Sequence, residues 1–290
     1  METTYFFRNK LHLSILSALG AGAWSIFFEL PINYWMVTTV FLLTFSIYQY
    51  NRLTDDIEDA ANTPENHQDA KENKFIITYI SFYLFSLLAL IIAYFHGPAA
   101  FWATLIIEII GFLYNQKCFP DFISNMLGGA RRFKDIYIVK NLVPPIDWAA
   151  AMIFLPILFE GEALTLKVWI CWAYIFICTF FIEVMWDMRD RHGDLLSGIK
   201  TIANTFTFKN TKILLNALSV LSGIALFVAT YLKILPGSSY FLLTNNIAVI
   251  VIANSYQEGK QQEMKKISDM TIVLAGLLFV SFGFIAYFAN

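Results

Sequence analysis

Two groups of oxygen-bearing side chains carry the chemical content of this sequence. In "NRLTDDIEDA", residues 51–60, Asn51, Asp55 and Asp59 recur at every fourth position, which places them on one face of a helix. In "EVMWDMRDRHGDLLSGIKTIA", residues 183–203, Asp187, Asp190 and Asp194 fall at i, i+3 and i+7, again one face. So many carboxylates gathered in a partly dry mouth would repel one another and resist ionisation. A hard divalent cation removes that cost. Mg²⁺ suits carboxylate oxygen and usually shares its coordination shell with substrate phosphate. The predicted chemistry is therefore a metal–diphosphate clamp built from two helix ends. A solvated loop after a membrane helix accounts for either run alone, but less well for two runs at helical spacing.

Basic side chains near these runs are candidates for sharing diphosphate charge. Arg132 and Lys134 lie in "GGARRFKD", with Lys140 and Asn141 just beyond, and Arg189, Arg191 and Lys200 flank the second acidic run. Arg8 and Lys10 sit near the N-terminus. Lys134 and Arg189 rank first among them. Each of these positions is also explained by the ordinary enrichment of Lys and Arg at cytoplasmic helix ends. Glu108, Asp147 and Glu183 lie inside apolar runs, where an acid is costly and faces a cavity or a partner. Glu183, four residues before Asp187, extends the same helix face inward, as an acceptor contact or as an aid to a metal ligand. Asp147 follows Pro144-Pro145, so it either meets an acceptor near a broken helix or sits satisfied at a prolyl kink. His192 reads as solvated. The 28 Phe, 14 Tyr and 7 Trp suit a channel that stabilises an allylic cation, and equally suit membrane cores and interfacial belts.

The elements that must position these groups follow from composition. The chain has 290 residues, 58% hydrophobic and 14% charged, against about 25% charged in soluble domains. Nine apolar runs, near 11–30, 33–51, 75–96, 99–116, 138–159, 165–186, 212–232, 239–255 and 270–289, approach the roughly 20 residues that cross a bilayer as a helix. Nothing alternates as a β-barrel strand would. The expected fold class is all-α, a polytopic membrane bundle of nine transmembrane helices in a single domain. With a cytoplasmic N-terminus, all of the 20 Lys and Arg except Lys167 and Lys233 fall on the cytoplasmic side, which sets the orientation. Both acidic loops then share that side, and the C-terminus lies opposite. Residues 1–117 and 131–255 form topologically similar halves with the site between them, followed by the ninth helix. The first run lacks a cleavage site and reads as a retained helix. Cys118, Cys171 and Cys178 have no zinc or disulfide spacing, and no basic stripe suggests nucleic acid.

NxxxDxxxD after the second run and DxxxD (Asp190, Asp194) after the sixth resemble the UbiA superfamily of intramembrane prenyltransferases. Gly193-Asp194-xxx-Gly198-xx-Thr201 and "RRFKDIYIVKN" are similar to stretches of many members. The resemblance implies two Mg²⁺ ions bridging the acids to the diphosphate of an isoprenyl donor. Asn51, Asp55 and Asp59 would hold one side, Asp190 and Asp194 the other, with Asp187 an additional ligand or a partner of one. It implies Asp55, Asp59, Asp190 and Asp194 as the catalytic set and Arg132, Lys134, Arg189 and Lys200 as diphosphate-binding. The partners would be a prenyl diphosphate, a lipophilic acceptor (aromatic or alcohol) and membrane lipid. The chain departs from better-known branches. "NTPENHQDA" has no Arg-Pro pair, the Arg-rich signature of haem O synthases is missing, and "LYNQK" replaces the Tyr-Pro-xx-Lys-Arg string of 4-hydroxybenzoate enzymes, with Tyr114 in the aromatic position. A terpene cyclase uses the same motifs without an acceptor. A cation-coupled transporter and a noncatalytic scaffold are the other readings; the one-sided acids argue against the first and the intact acids against the second.

Overall fold

A computed structural model describes residues 10–54, 68, 71–196 and 198–289. Asp55, Asp59 and Arg8 lie outside the described residues. The described chain is all-helical. Helix α1 is Leu11–Phe27 and α2 is Tyr34–Thr54. A π-helical stretch, Ile76–Leu84, continues into α3, Phe85–Phe95; α4 is Pro98–Asn115. A short α5, Asp121–Met126, and a 3₁₀ turn, Phe133–Asp135, lead to α6, Val139–Ala149. A π turn, Ala150–Phe154, joins α6 to α7, Leu155–Phe159. Then come α8 (Leu166–Leu196), α9 (Ile202–Thr205), α10 (Phe208–Tyr231), a 3₁₀ turn (Gly237–Leu242), α11 (Leu243–Ser255) and α12 (Gln261–Ala289).

Five of these segments are long and apolar enough to cross a membrane: Pro98–Asn115, Val139–Phe159, Leu166–Leu196, Phe208–Tyr231 and Gln261–Ala289. The other expected spans are also helical, but each differs for a local reason. Leu11–Phe27 is shorter. Helix α2 carries Thr44, Ser46, Gln49, Asn51 and Arg52 on its second half, which dilutes its apolar character. Helix α11 has 13 residues, because the preceding turn takes up Gly237–Leu242.

Three large packed cores and a smaller one at Leu13, Leu16 and Ile272 hold the bundle. One joins α1, α2, α3, α4 and the α6–α7 segment through Ala21, Met36, Leu43, Ala93, Ile107 and Leu155. A second joins α1 to α8, α10 and α12 around Trp24, Phe27, Tyr174, Leu226 and Phe282. The third packs Phe181, Met185, Leu215, Ala253 and Met264. Outward faces stay apolar, as at Tyr83, Leu87, Trp102, Ile224, Leu277 and Phe288. A soluble monomer would not expose so much contiguous apolar surface, whereas lipid is a good solvent for it.

Local sequence rules place the ends that matter. Pro144 and Pro145 lie inside α6 and cannot donate to the carbonyls four residues earlier. The carbonyl of Lys140 instead accepts a hydrogen bond from Tyr114 Oη at 3.0 Å, which ties α4 to α6. Helix α8 stops at a glycine. Gly198 has φ +74°, and the Ile199 N–H returns to Asp194 O at 2.9 Å, the bonding of a left-handed helix stop. Thr201 then caps α9, its hydroxyl accepting from Asn204 N–H at 3.2 Å while Asn204 Oδ1 accepts from Thr201 N–H at 2.9 Å. The Gly198-xx-Thr201 spacing is thus one helix end and the next helix start.

Candidate active site

A cavity of about 470 Å³ opens between α1, α2, α4, α6, α8 and α12. Its wall collects Asn51, Asp187, Asp190 and Asp194, the described candidates from both acidic runs, with four of the basic ones, Lys10, Lys134, Lys140 and Arg189. Lys140 is the centre of the arrangement. Its Nζ lies 3.1 Å from Asp187 Oδ1 and 2.9 Å from Asp194 Oδ2. All three residues are buried, so the ammonium offsets two carboxylates that could not both stay charged in a dry wall without it. Asn141 completes the set. Its Nδ2 donates to Asp187 Oδ2 at 2.5 Å, and its Oδ1 accepts from Ile202 N–H at 3.3 Å. One helix turn of α6 therefore orients the acids of α8 and docks the start of α9.

The remaining candidates divide. Arg189 grips Asp190 through two hydrogen bonds, 2.8 and 2.5 Å, at the cavity wall. Lys134 is buried there on the 3₁₀ turn. Arg132 does not line the cavity. It pairs with Asp135 at 2.7 Å and donates to Thr54 O at 3.3 Å, so it fastens the 131–135 turn to the end of α2. Burial opposes the charge on Asp135, but hydrogen bonds from Arg132 and the Arg131 backbone outweigh it and hold the carboxyl below its usual range. Lys200 is exposed and outside the cavity wall. Among the described residues, no group of three or more His, Cys, Asp or Glu is arranged to hold a metal ion; Asp55 and Asp59 are not among them.

Other wall residues were not singled out by the sequence. Gln261, Gln262, Lys265 and Asp269, from the polar first turns of α12, close one side, and His12 and Tyr48 contribute from α1 and α2. A hydropathy reading starts the last helix at about 270 and discards those turns as loop. The spacing of Lys265, Ser268, Asp269 and Ile272, all at the wall, is the helical signal that identifies them. Gly111 lets α2 approach α4, since a Cβ there would meet Ile47 Cδ1 at 2.7 Å. Tyr48, Trp148, Glu183 and Trp186 also line a smaller apolar chamber of about 80 Å³, walled by Met152, Ile175, Leu242 and Phe279 among others.

A family model for UbiA prenyltransferases matches residues 13–283. The chain belongs to the UbiA prenyltransferase family. A UbiA homologue from Archaeoglobus fulgidus, solved bound to GPP and Mg²⁺, superposes with a TM-score of 0.73 at 16% identity, covering 98% of this chain and 99% of that one. The apo UbiA homologue from Aeropyrum pernix K1 gives 0.71 at 12% identity, with 93% and 98% covered. A structure concerning digeranylgeranylglyceryl phosphate synthase gives 0.63 at 15% identity, with 97% and 99% covered. At these identities the likeness is one of fold. No curated protein sequence matches the chain. With UbiA membership and five helices apolar enough to cross a bilayer, the protein is an integral membrane protein.

Proposed function

We propose that this UbiA protein is an Mg²⁺-dependent prenyltransferase that moves an isoprenyl group from a prenyl diphosphate to a lipophilic acceptor, an alcohol or an aromatic ring, within the membrane. The observation that carries this reading is the cavity in which Asn51, Lys134, Lys140, Asp187, Arg189, Asp190 and Asp194 meet, beside an apolar chamber that shares its wall at Tyr48, Trp148, Glu183 and Trp186. A diphosphate head and a hydrocarbon tail need that juxtaposition. Relatives of the same fold bound to GPP or DMAPP with Mg²⁺ support the choice of donor and metal.

The residues fit Mg²⁺. Their donors are carboxylate and amide oxygens, which hard cations prefer. Among the described residues, Oδ1 of Asn51 and Oδ1 of Asn115 are buried without a hydrogen-bond partner, and both residues line this cavity. Asn51, Asp55 and Asp59 would hold the metal from α2 and beyond, and Asp187, Asp190 and Asp194 from α8. When bound, Mg²⁺ supplies neutralisation of the diphosphate as a leaving group. The chain's own part is to orient and to exclude water. Lys140 and Asn141 fix the α8 carboxylates; Lys134 and Arg189 add positive charge at the leaving side. Tyr48, Trp148 and Trp186 offer ring faces to a developing allylic cation and keep water from it. The nine apolar runs are nine crossings in this reading, with the N-terminus and both acidic runs on the cytoplasmic side.

The test is Mg²⁺-dependent diphosphate release by purified protein, with prenyl diphosphates of increasing length and with or without a lipophilic acceptor. Release that requires the acceptor supports transfer. Release without it replaces the reading with the cyclase. Asp55→Ala and Asp190→Ala abolish turnover while the protein stays folded in detergent; wild-type rates in either would remove that residue from the site.

A further inference from the structure

Besides Asp269 on α12, two acids in the cavity have no part in the clamp. Asp147 and Glu183 both line it, and each lies inward of a clamp residue on its own helix. Asp147 follows Lys140 by seven residues on α6, and Glu183 precedes Asp187 by four on α8, displacements of about 10 and 6 Å along the helix axes. The two helices run in opposite directions, since Ala149, Met152 and Ile153 pack in the same core as Cys171, Ile175 and Cys178. Both shifts therefore lead the same way, away from the Lys140 salt bridges. Tyr48, three residues before Asn51 on α2, comes to the same level. Its hydroxyl accepts from Trp148 Nε1 at 3.0 Å, which leaves its own proton to donate, and it lies within electrostatic reach of both carboxyls. The Oδ1 atom of Asp147 is sealed from solvent with no hydrogen-bond partner among the described residues. An acceptor oxygen left bare at a cavity wall is costly unless a ligand supplies a donor. Tyr48, Trp148 and Glu183 also line the apolar chamber, so a polar station stands at the threshold of an apolar one.

We propose that Asp147, Glu183 and Tyr48 form the binding station for the head of the prenyl acceptor, and that they select a lipophile bearing neutral hydroxyl or N–H donors and reject one bearing a carboxylate. This deepens the prenyltransferase reading and rests on it. Two acids facing one small space offer oxygens to donors, and among the described residues no basic side chain stands in the wall of the apolar chamber to pair with an anion. An acid-bearing aromatic, such as a hydroxybenzoate, would bury its carboxylate there unpaired; an uncharged diol or phenol would not. The apolar chamber beyond takes the ring or the hydrocarbon of the same molecule. The transfer chemistry at the clamp is unaltered by this assignment, because Asp147 and Glu183 act as hydrogen-bond partners of the acceptor.

The test measures binding rather than turnover. Equilibrium dialysis of the full-length protein in detergent uses radiolabelled 1,4-dihydroxynaphthalene and 4-hydroxybenzoate as probes, each with and without geranyl diphosphate and Mg²⁺. The neutral diol binds, and the carboxylated probe binds at least tenfold more weakly. Glu183→Gln and Asp147→Asn, measured separately, each weaken the diol about tenfold, the size of one buried hydrogen bond, and narrow the gap between the probes. Tyr48→Phe weakens the diol about threefold to tenfold on the same scale. Geranyl diphosphate affinity, read in the same samples, separates a lost acceptor station from a lost clamp. Equal affinity for both probes in the wild type overturns the proposal, as does diol binding that neither isosteric variant changes. Failure of geranyl diphosphate to bind, with the probe preference intact, would instead remove the prenyltransferase reading and leave the station in place.

Discussion

Lys140→Met isolates the energetic role of the buried ammonium. Its Nζ lies 3.1 and 2.9 Å from two carboxylates, and each contact is worth about 5 kcal/mol of gross Coulomb energy at an effective dielectric of about 20. Most of that is offset by the cost of taking three charges out of water. What remains on losing one partner of a buried pair is about 3–5 kcal/mol. Methionine keeps the length of the stem and its packing against the wall, so the loss is electrostatic. In metal-free buffer the variant therefore unfolds roughly 6–12 °C below wild type, at about 2 °C or slightly more per kcal/mol for a chain of this size. A divalent cation held by Asp187 and Asp194 would replace the missing charge. Thermal unfolding in detergent, followed by intrinsic tryptophan fluorescence across a Mg²⁺ titration, reads both effects. Mg²⁺ raises the midpoint of Lys140→Met more than that of wild type. Equal stability of the two proteins without metal would refute the charge argument, and an equal response to Mg²⁺ would refute the link between Lys140 and the metal site.

Two further outcomes follow from backbone and charge. Gly198→Ala costs about 1–2 kcal/mol, the penalty of a Cβ in the left-handed region, because φ there is +74° while no atom lies within 4 Å of the added carbon; chemical denaturation checks it, and an unchanged midpoint would mean that the α8 stop has another support. Asp135 has its carboxyl held low by Arg132 and the Arg131 backbone. Its contribution is complete above the unfolded value of about 3.9 and disappears as pH falls through the lower folded value. Asp135→Asn should thus lose less stability than wild type on acidification from about pH 6 to about pH 3, and parallel acid curves for the two proteins would argue against the pairing.

The hydropathic runs and the spacing of polar residues within them made much of this molecule readable in advance. Helical periodicity brought Asp187, Asp190 and Asp194 to one cavity wall, because the face of a helix is set by residue spacing alone. What pairs across helices is not encoded in such spacing. Lys140 drew attention only as one of several basic residues near a helix start, and its bridge to two acids depends on how α6 lies against α8. Arg132 occupies an equally suggestive position, and its contacts to Asp135 and Thr54 O are likewise invisible to spacing. The polar opening of α12 escaped notice because a scale that rewards apolar runs has no means of registering a helix whose first turns face a wet cavity. Pro144 reads as a helix breaker in sequence, and α6 continues through it because Tyr114 takes over the carbonyl that the proline leaves bare.

Helix α8 has 31 residues, about 46 Å at 1.5 Å per residue, while the hydrocarbon of a bilayer is about 30 Å thick. The excess is roughly three turns, about the length of the stretch from Asp187 to the helix end at Leu196, and an upright α8 would lift those acids clear of the oily slab. The polar opening of α12 rises beside them. In the proposed transfer, turnover would then be governed by two different measures of abundance. A short-chain donor is counted in moles per litre of water, and the acceptor in moles per mole of lipid. Adding bare vesicles to a working reaction would thin out one reactant in its own phase and leave the other almost unchanged, so rates quoted without the lipid ratio would not be comparable between preparations.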